Sequence, residues 1–289
     1  MKKLWTLALA AGLLALSGCS DAVAEISNGS EVVFSVGDRS VTREDMFTTY
    51  KSSGASYIIQ EATRYIVDQE VETTEEMEKQ AQEELDNFKN TYGDESESYI
   101  KLGGYQDEND YRDRYLLLNI KTKQLPYVFI KDNFKSQAEK YHPMKVQILE
   151  TTELGNAQSA MEAIKNGGDF EENVTAYGDT TNFKGEAEII TSQTTSIPES
   201  IFEQLKKNTK SDYLFDEVLS DTTTGKYYVI RVIHADPNDF KEEAIEAMAS
   251  ISTMQTTAFT HYLKKYDFRI YDIDIYQDIN ESQPDYIVQ

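Results

Sequence analysis

Cys19 is the only thiol in the 289 residues, and His142, His234 and His261 are the only imidazoles. Thiolates and imidazoles are the groups most readily recruited as nucleophile, metal ligand or proton shuttle near neutral pH. Their scarcity narrows the chemistry at once. The chain has no Walker loop, HExxH helix, CxxC pair or nucleophile elbow. His142 precedes the first strand of the central region, His234 follows its last strand, and His261 lies on the closing helix. Each reads as an ordinary polar residue, and neither a cofactor nor a metal is expected.

The place of Cys19 gives it a different use. Lys2 and Lys3 open the chain, the run from Leu4 to Leu16 is uncharged and mostly Leu and Ala, and Ser17-Gly18 follow. That order of basic, apolar and small residues reads as a secretory signal, 1–18. It is too short for a membrane span, which needs about 20 apolar residues. The stretch Leu16-Ser17-Gly18-Cys19 resembles the lipobox of bacterial lipoproteins. The resemblance implies that Cys19 becomes the first residue of the mature chain and carries the lipid, leaving no cysteine for other chemistry. Ordinary signal cleavage with Cys19 as a bystander is the alternative. Residues 19–31 then read as a lipidated tether.

Composition excludes other partners. The formal net charge of −23 repels nucleic-acid phosphates and anionic headgroups alike. Tyr and Phe are plentiful, at 19 and 12, while the single Trp falls in the signal at position 5.

The elements follow from periodicity. VVFSVGDRSVT, from Val32 to Thr42, alternates around Gly37-Asp38 and predicts a β-hairpin. Thr42 caps a helix, with Asp45 placed to complete a capping box. Ile58, Ala62, Tyr65 and Ile66 make one helical face, and Met77, Ala81, Leu85, Phe88 and Tyr92 another that ends at Gly93. Tyr111, Tyr115, Leu118 and Leu125 mark a third, which Pro126 should kink or break before a helix bearing Phe134, Ala138 and Tyr141. From Met144 the texture changes. A strand, a helix over Ala157–Ile164, a second helix started by Asp169, and two strands before Pro237 make a β-α-α-β unit. One long helix is expected from Ile245 to Tyr266. RIYDIDIY, 269–276, is expected as a strand that pairs with the hairpin, and 280–289 as a flexible tail.

The lipobox, the V-x-F-S-V-G-D-x-x-V-T hairpin, the helical run and the inserted unit together resemble the PrsA-type foldase lipoproteins, relatives of SurA-like and trigger-factor-like chaperones. KNGGDFEENVTAYGD, 165–179, is similar to part of the parvulin module, that family's peptidyl-prolyl isomerase. The resemblance implies an α+β fold: a mainly helical, discontinuous chaperone domain, 32–143 and 237–279, holding a small parvulin-like domain, 144–236. It also locates the isomerase pocket. The family's two histidines fall on Gln147 and Tyr228, its acidic position on Asp179, and its apolar wall on Ile197. Both histidines are thus replaced, and Gln147 and Tyr228 are expected to hydrogen-bond across the sheet as a structural substitute.

The reading that follows is an extracytoplasmic chaperone, lipid-anchored to the bacterial cell membrane at Cys19. Its partners would be unfolded secreted polypeptides, and a homodimer is left open. Its parvulin domain would be weak or inactive. An active isomerase with an atypical pocket is the alternative. A solute-binding lipoprotein is more distant, because helices dominate before residue 144 and the mature chain has no Trp platform.

Overall fold

The computed structural model describes residues 24–51 and 54–289. The fold is α+β. It separates into two compact units, one of residues up to Gln69 with Thr260–Gln289, the other Glu70–Phe259. No helix among the described residues is long and apolar enough to cross a membrane.

In the first unit, β1 (Val32–Val36) and β2 (Arg39–Thr42) form the expected hairpin, turning at Gly37 with φ +63°. The capping box forms as well. Thr42 N donates to Asp45 Oδ2 at 2.8 Å and Asp45 N to Thr42 Oγ1 at 3.2 Å, which starts α1 (Arg43–Lys51). After α2 (Gly54–Glu70), this unit's chain resumes in its C-terminal stretch.

Three expectations are corrected here. Residues 269–276 form no strand: Asp272 caps a helix, Ile273–Ser282, by accepting from the backbone N–H of Asp274 and Ile275. Ile275 and Ile279, four apart, then face the core, and among the described residues the hairpin pairs with no third strand. The tail is not loose either. Tyr286 and Ile287 pack beside Ala55, Ile270 and Ile279, and the Gln289 amide bonds both backbone groups of Ile270. The fold also begins before Val32, inside the expected tether. Ala24 N donates to Asp272 Oδ2 at 2.7 Å, and Glu31 and Gly29 accept from Arg43 N and Glu44 N, both at 2.9 Å.

In the second unit, Thr74 caps α3 (Glu75–Tyr92), which buries Ala81 and Leu85 against Ile100 of α4 (Ser96–Leu102). A short α5 (Glu108–Tyr111) passes through a π-helical turn, Arg112–Leu116, into α6 (Leu117–Asp132), and α7 (Phe134–Tyr141) follows. Pro126 lies inside α6 without breaking it; the break comes at Asn133. Proline leaves the carbonyl four residues back without its helical donor. That carbonyl, on Thr122, accepts instead from Gln255 Nε2 at 3.2 Å.

The sheet is antiparallel in the order β4-β3-β7-β5, with β6 also on β7. Its strands are β3 (Met144–Thr151), β4 (Glu188–Ile190), β5 (Tyr213–Leu214), β6 (Leu219–Asp221) and β7 (Lys226–His234). Side chains alternate across it. Leu149 and Val229 pack on Ala157, Ile164, Phe170 and Val174 from α8 (Leu154–Lys165) and α9 (Phe170–Tyr177). Val146, Ile148, Tyr228 and Ile230 pack on the other face with Ile201, Phe202 and Leu205 of α10 (Glu199–Leu205). Neither β4 nor α10 was predicted.

The closing helix is divided. α11 (Lys241–Ala249) stops at Ser250, and α12 (Met254–Lys265) restarts after Ile251-Ser252-Thr253, residues of modest helix propensity. The helix at Ile273–Ser282 is α13.

Candidate functional site

Two regions merit a functional reading: a cleft on the sheet and a cluster of rings on the helices. The register of β3 with β7 decides the first. Gln147 stands opposite Arg231, and Glu150 opposite Tyr228. Directly opposed residues share a face, and odd and even positions point to opposite faces. Gln147 and Tyr228 therefore lie on opposite faces, and the expected hydrogen bond between them does not form. The Gln147 amide donates to the Gly185 carbonyl at 2.8 Å and accepts from Arg231 Nη1 at 3.4 Å. Gly185 takes φ +87°, and a Cβ there would stand 2.8 Å from Val174 Cγ2, so the turn sits tight on α9. Tyr228 points into the α10 layer, where Ile197 is also buried. Asp179 is exposed beyond α9. Its N–H reaches the Glu150 carbonyl at 2.6 Å, and donors from Thr181, with the Lys226 charge, hold its carboxyl below the usual range.

Of the four predicted pocket positions, only Ile197 and Tyr228 come together. The residue beside Tyr228 that sequence reasoning missed is Glu150, only 1% exposed. Its carboxylate accepts from Lys226 Nζ at 2.6 Å, Tyr228 Oη at 3.1 Å and Asn182 Nδ2 at 3.2 Å. A second buried carboxylate, Asp221, accepts from Ser200 Oγ and Thr224 Oγ1, both at 2.7 Å, and from Thr224 N at 2.8 Å. The Thr224 hydroxyl and then the Ser200 hydroxyl hold its carboxyl below the usual range. These groups line an open cavity of about 780 Å³ that includes no histidine. Burial, then the Glu150 charge, pushes the Tyr228 phenol far above its ordinary value, so it stays protonated throughout the neutral range. Every buried polar atom in this arrangement is already bonded to another, which suits a scaffold better than a proton-transfer site.

The helices carry the opposite arrangement. Phe88 and Tyr92 of α3 meet at 4.7 Å between centroids, Phe88 and Tyr111 at 5.2 Å, and Tyr92 and Tyr99 of α4 at 4.9 Å. Tyr111 stacks on Tyr115 at 5.3 Å with rings 16° from parallel, and Tyr105 meets Tyr111 at 5.2 Å. Six rings thus form one connected surface. Its inner edge rests on the Ala81, Leu85 and Ile100 core, while Tyr92, Tyr99 and Tyr115 keep 46%, 45% and 39% of their surface in solvent. Leu102, at the end of α4, is 84% exposed.

Solved PrsA foldases resemble this chain. A peptidylprolyl isomerase, PrsA, from Bacillus cereus covers 89% of this chain with all of its own, at 15% identity and a TM-score of 0.49. Foldase PrsA from Streptococcus pneumoniae covers 89% of this chain and 99% of itself, at 15% identity and 0.41; PrsA from Bacillus subtilis covers 87% and 99%, at 17% identity and 0.37. No protein-family model and no curated protein matches the sequence. At such distances the site has to be read from its own residues.

Proposed function

We propose that this chain is an extracytoplasmic chaperone, anchored through a lipid on Cys19, that holds unfolded secreted polypeptides on the six-ring surface of α3–α6. The observation that carries the reading is that surface: aromatic rings fixed by one another and by the core, yet with much of their area in water. Rigid aromatic side chains give broad contact at low entropic cost. An acidic chain attracts basic segments of an emerging polypeptide over long range. The soluble form beginning at Ser20 should suppress aggregation of a chemically unfolded secreted protein. Replacing Tyr92, Tyr99 and Tyr115 together with Ser should abolish most of that effect. Unchanged holding by the triple variant would sink the proposal. Mass spectrometry of the mature N-terminus tests the anchor independently, since a start elsewhere than Cys19 overturns it.

The parvulin-like region serves in this reading as structure. The 780 Å³ cavity beside Tyr228 favours one second reading, an isomerase with an atypical pocket. Faster cis–trans exchange in a proline tetrapeptide, lost in Tyr228→Phe, would establish it.

A further inference from the structure

The six-ring surface shows with one of its own residues how it seats a cation. The Arg114 guanidinium lies over the Tyr105 ring, 5.8 Å from its centroid, and its Nη1 meets Asp110 Oδ2 at 3.2 Å. The negative face of the ring and the carboxylate beside it thus act on the same planar cation. A second arrangement of this kind holds no cation. Tyr92 and Tyr99 meet at 4.9 Å, and Tyr99 Oη donates to Glu95 Oε2 at 3.3 Å, which fixes an exposed carboxylate beside two half-exposed rings. Among the described residues no cation lies over either ring.

The charges of this segment leave carboxylates over. From Glu75 to Leu116 the chain has 13 acidic and five basic residues. Each base is already paired: Lys79 with Glu83, Lys89 with Glu108, Lys101 with Glu97, Arg112 with Asp113 and Arg114 with Asp110. Glu84, Asp94 and Glu95 have no ion-pair partner among the described residues. Burial first, then Tyr115, Tyr105 and the Glu84 charge, pushes the Tyr111 phenol up, so the uncompensated charge of Glu84 reaches the rings. A guanidinium suits such a place better than an ammonium does. It is planar and weakly hydrated, so it can lie on a ring while its edge bonds a carboxylate, whereas an ammonium is compact and holds its water.

We infer that the Tyr92–Glu95–Tyr99 corner takes an arginine side chain of the held polypeptide, so that the surface selects segments in which arginine stands among apolar residues. The inference rests on the holding role proposed for the six rings. The occupant follows from charge complementarity and from Arg114, which the same surface already seats on a ring beside a carboxylate.

Labelled, unstructured peptides of one apolar sequence, carrying Arg, Lys or Gln at the same positions, are titrated with the soluble chain beginning at Ser20. The Arg peptide should bind about two- to fivefold tighter than the Gln peptide, the range of one exposed cation–π contact, and tighter than the Lys peptide. The preference for Arg over Lys should persist at high salt, where attraction by net charge is screened. Glu95→Gln should bring the Arg-to-Gln ratio toward one. Tyr92→Leu with Tyr99→Leu, which keeps apolar bulk and removes both rings, should do the same. An Arg peptide bound no better than the Lys or Gln peptide overturns the inference, as does a preference that survives both variants; either result leaves the holding surface standing. Failure of every peptide to bind, with aggregation suppression unchanged in the triple Tyr92, Tyr99, Tyr115→Ser variant, fails the holding surface itself and this inference with it.

Discussion

The sheet cleft is lined mainly by polar side chains and the helical cluster by aromatic rings, and the two treat their side chains oppositely. In the cleft, Glu150 and Asp221 lie buried, and each gathers donors from the walls. A ligand would have to displace bonds already made, at a desolvation cost for the carboxylate left behind. On the helices the rings bond mostly to each other through their faces and edges, leaving surface that water covers poorly. A large exposed apolar patch marks an interaction site more reliably than a polar cavity whose groups are mutually satisfied.

The sharpest way to break the contrast is Glu150→Ala. It strands the Lys226 ammonium, the Tyr228 hydroxyl and the Asn182 amide, and breaking a buried pair from one side costs about 3–5 kcal/mol. Urea unfolding should show that loss while aggregation suppression by the folded fraction stays unchanged. A variant as stable as the parent would mean the cleft is wet and available to ligands.

Phe202→Ala, emptying the α10 side of the sheet, should cost about 3–5 kcal/mol in the same assay. By contrast, the triple Tyr92, Tyr99, Tyr115→Ser variant alters half-exposed positions. It should cost about 1 kcal/mol or less per site while removing most holding activity, so stability and function separate between the two regions.

Alkaline pH tests the cleft more gently. The Tyr228 phenol titrates higher in the fold than its ordinary value of 10.0, chiefly through burial. The folded state therefore keeps a proton that the unfolded chain releases, and this stability is complete below pH 10 and declines above it. Unfolding followed from pH 8 to 11 should show a downward slope that Tyr228→Phe reduces. An identical slope in the variant would remove Tyr228 from the account. The smallest effect expected is ionic. Raising salt from low to physiological strength should weaken holding of basic clients modestly and of acidic clients hardly at all, because exposed charges are screened.

Local signals in the sequence were reliable wherever one residue's chemistry sufficed. Thr42 with Asp45, and Asp169, whose Oδ1 accepts from Glu172 N at 2.9 Å, start helices by capping. The α3 stripe likewise buries Ala81 and Leu85 as its spacing required. Readings that depended on distant partners failed. The alternation of Tyr271, Ile273 and Ile275 fits a strand as well as a helix, and the cap on Asp272 decides it. Pro126 is tolerated because a donor 129 residues further along the chain, Gln255, takes the carbonyl that proline frees. In the cleft, Gln147 could be read as facing Tyr228 only while the register was unknown. Once Ile148 lies opposite Ile230, parity sends Gln147 to the other face and selects Glu150. A buried glutamate inside an apolar strand was the visible signal for that site.

The bond from Gln255 to Thr122 also bears on the order of assembly. A chain made N-terminus first completes α6 long before residue 255 has been added. Until then the Thr122 carbonyl can be satisfied only by water, so the middle of α6 stays hydrated and its proline turn can flex. Closure of the second unit thus waits for one of its last segments. Contacts of such long sequence separation form late and slowly, and protection of the Lys121–Leu125 amides from exchange during refolding should lag behind that of α3.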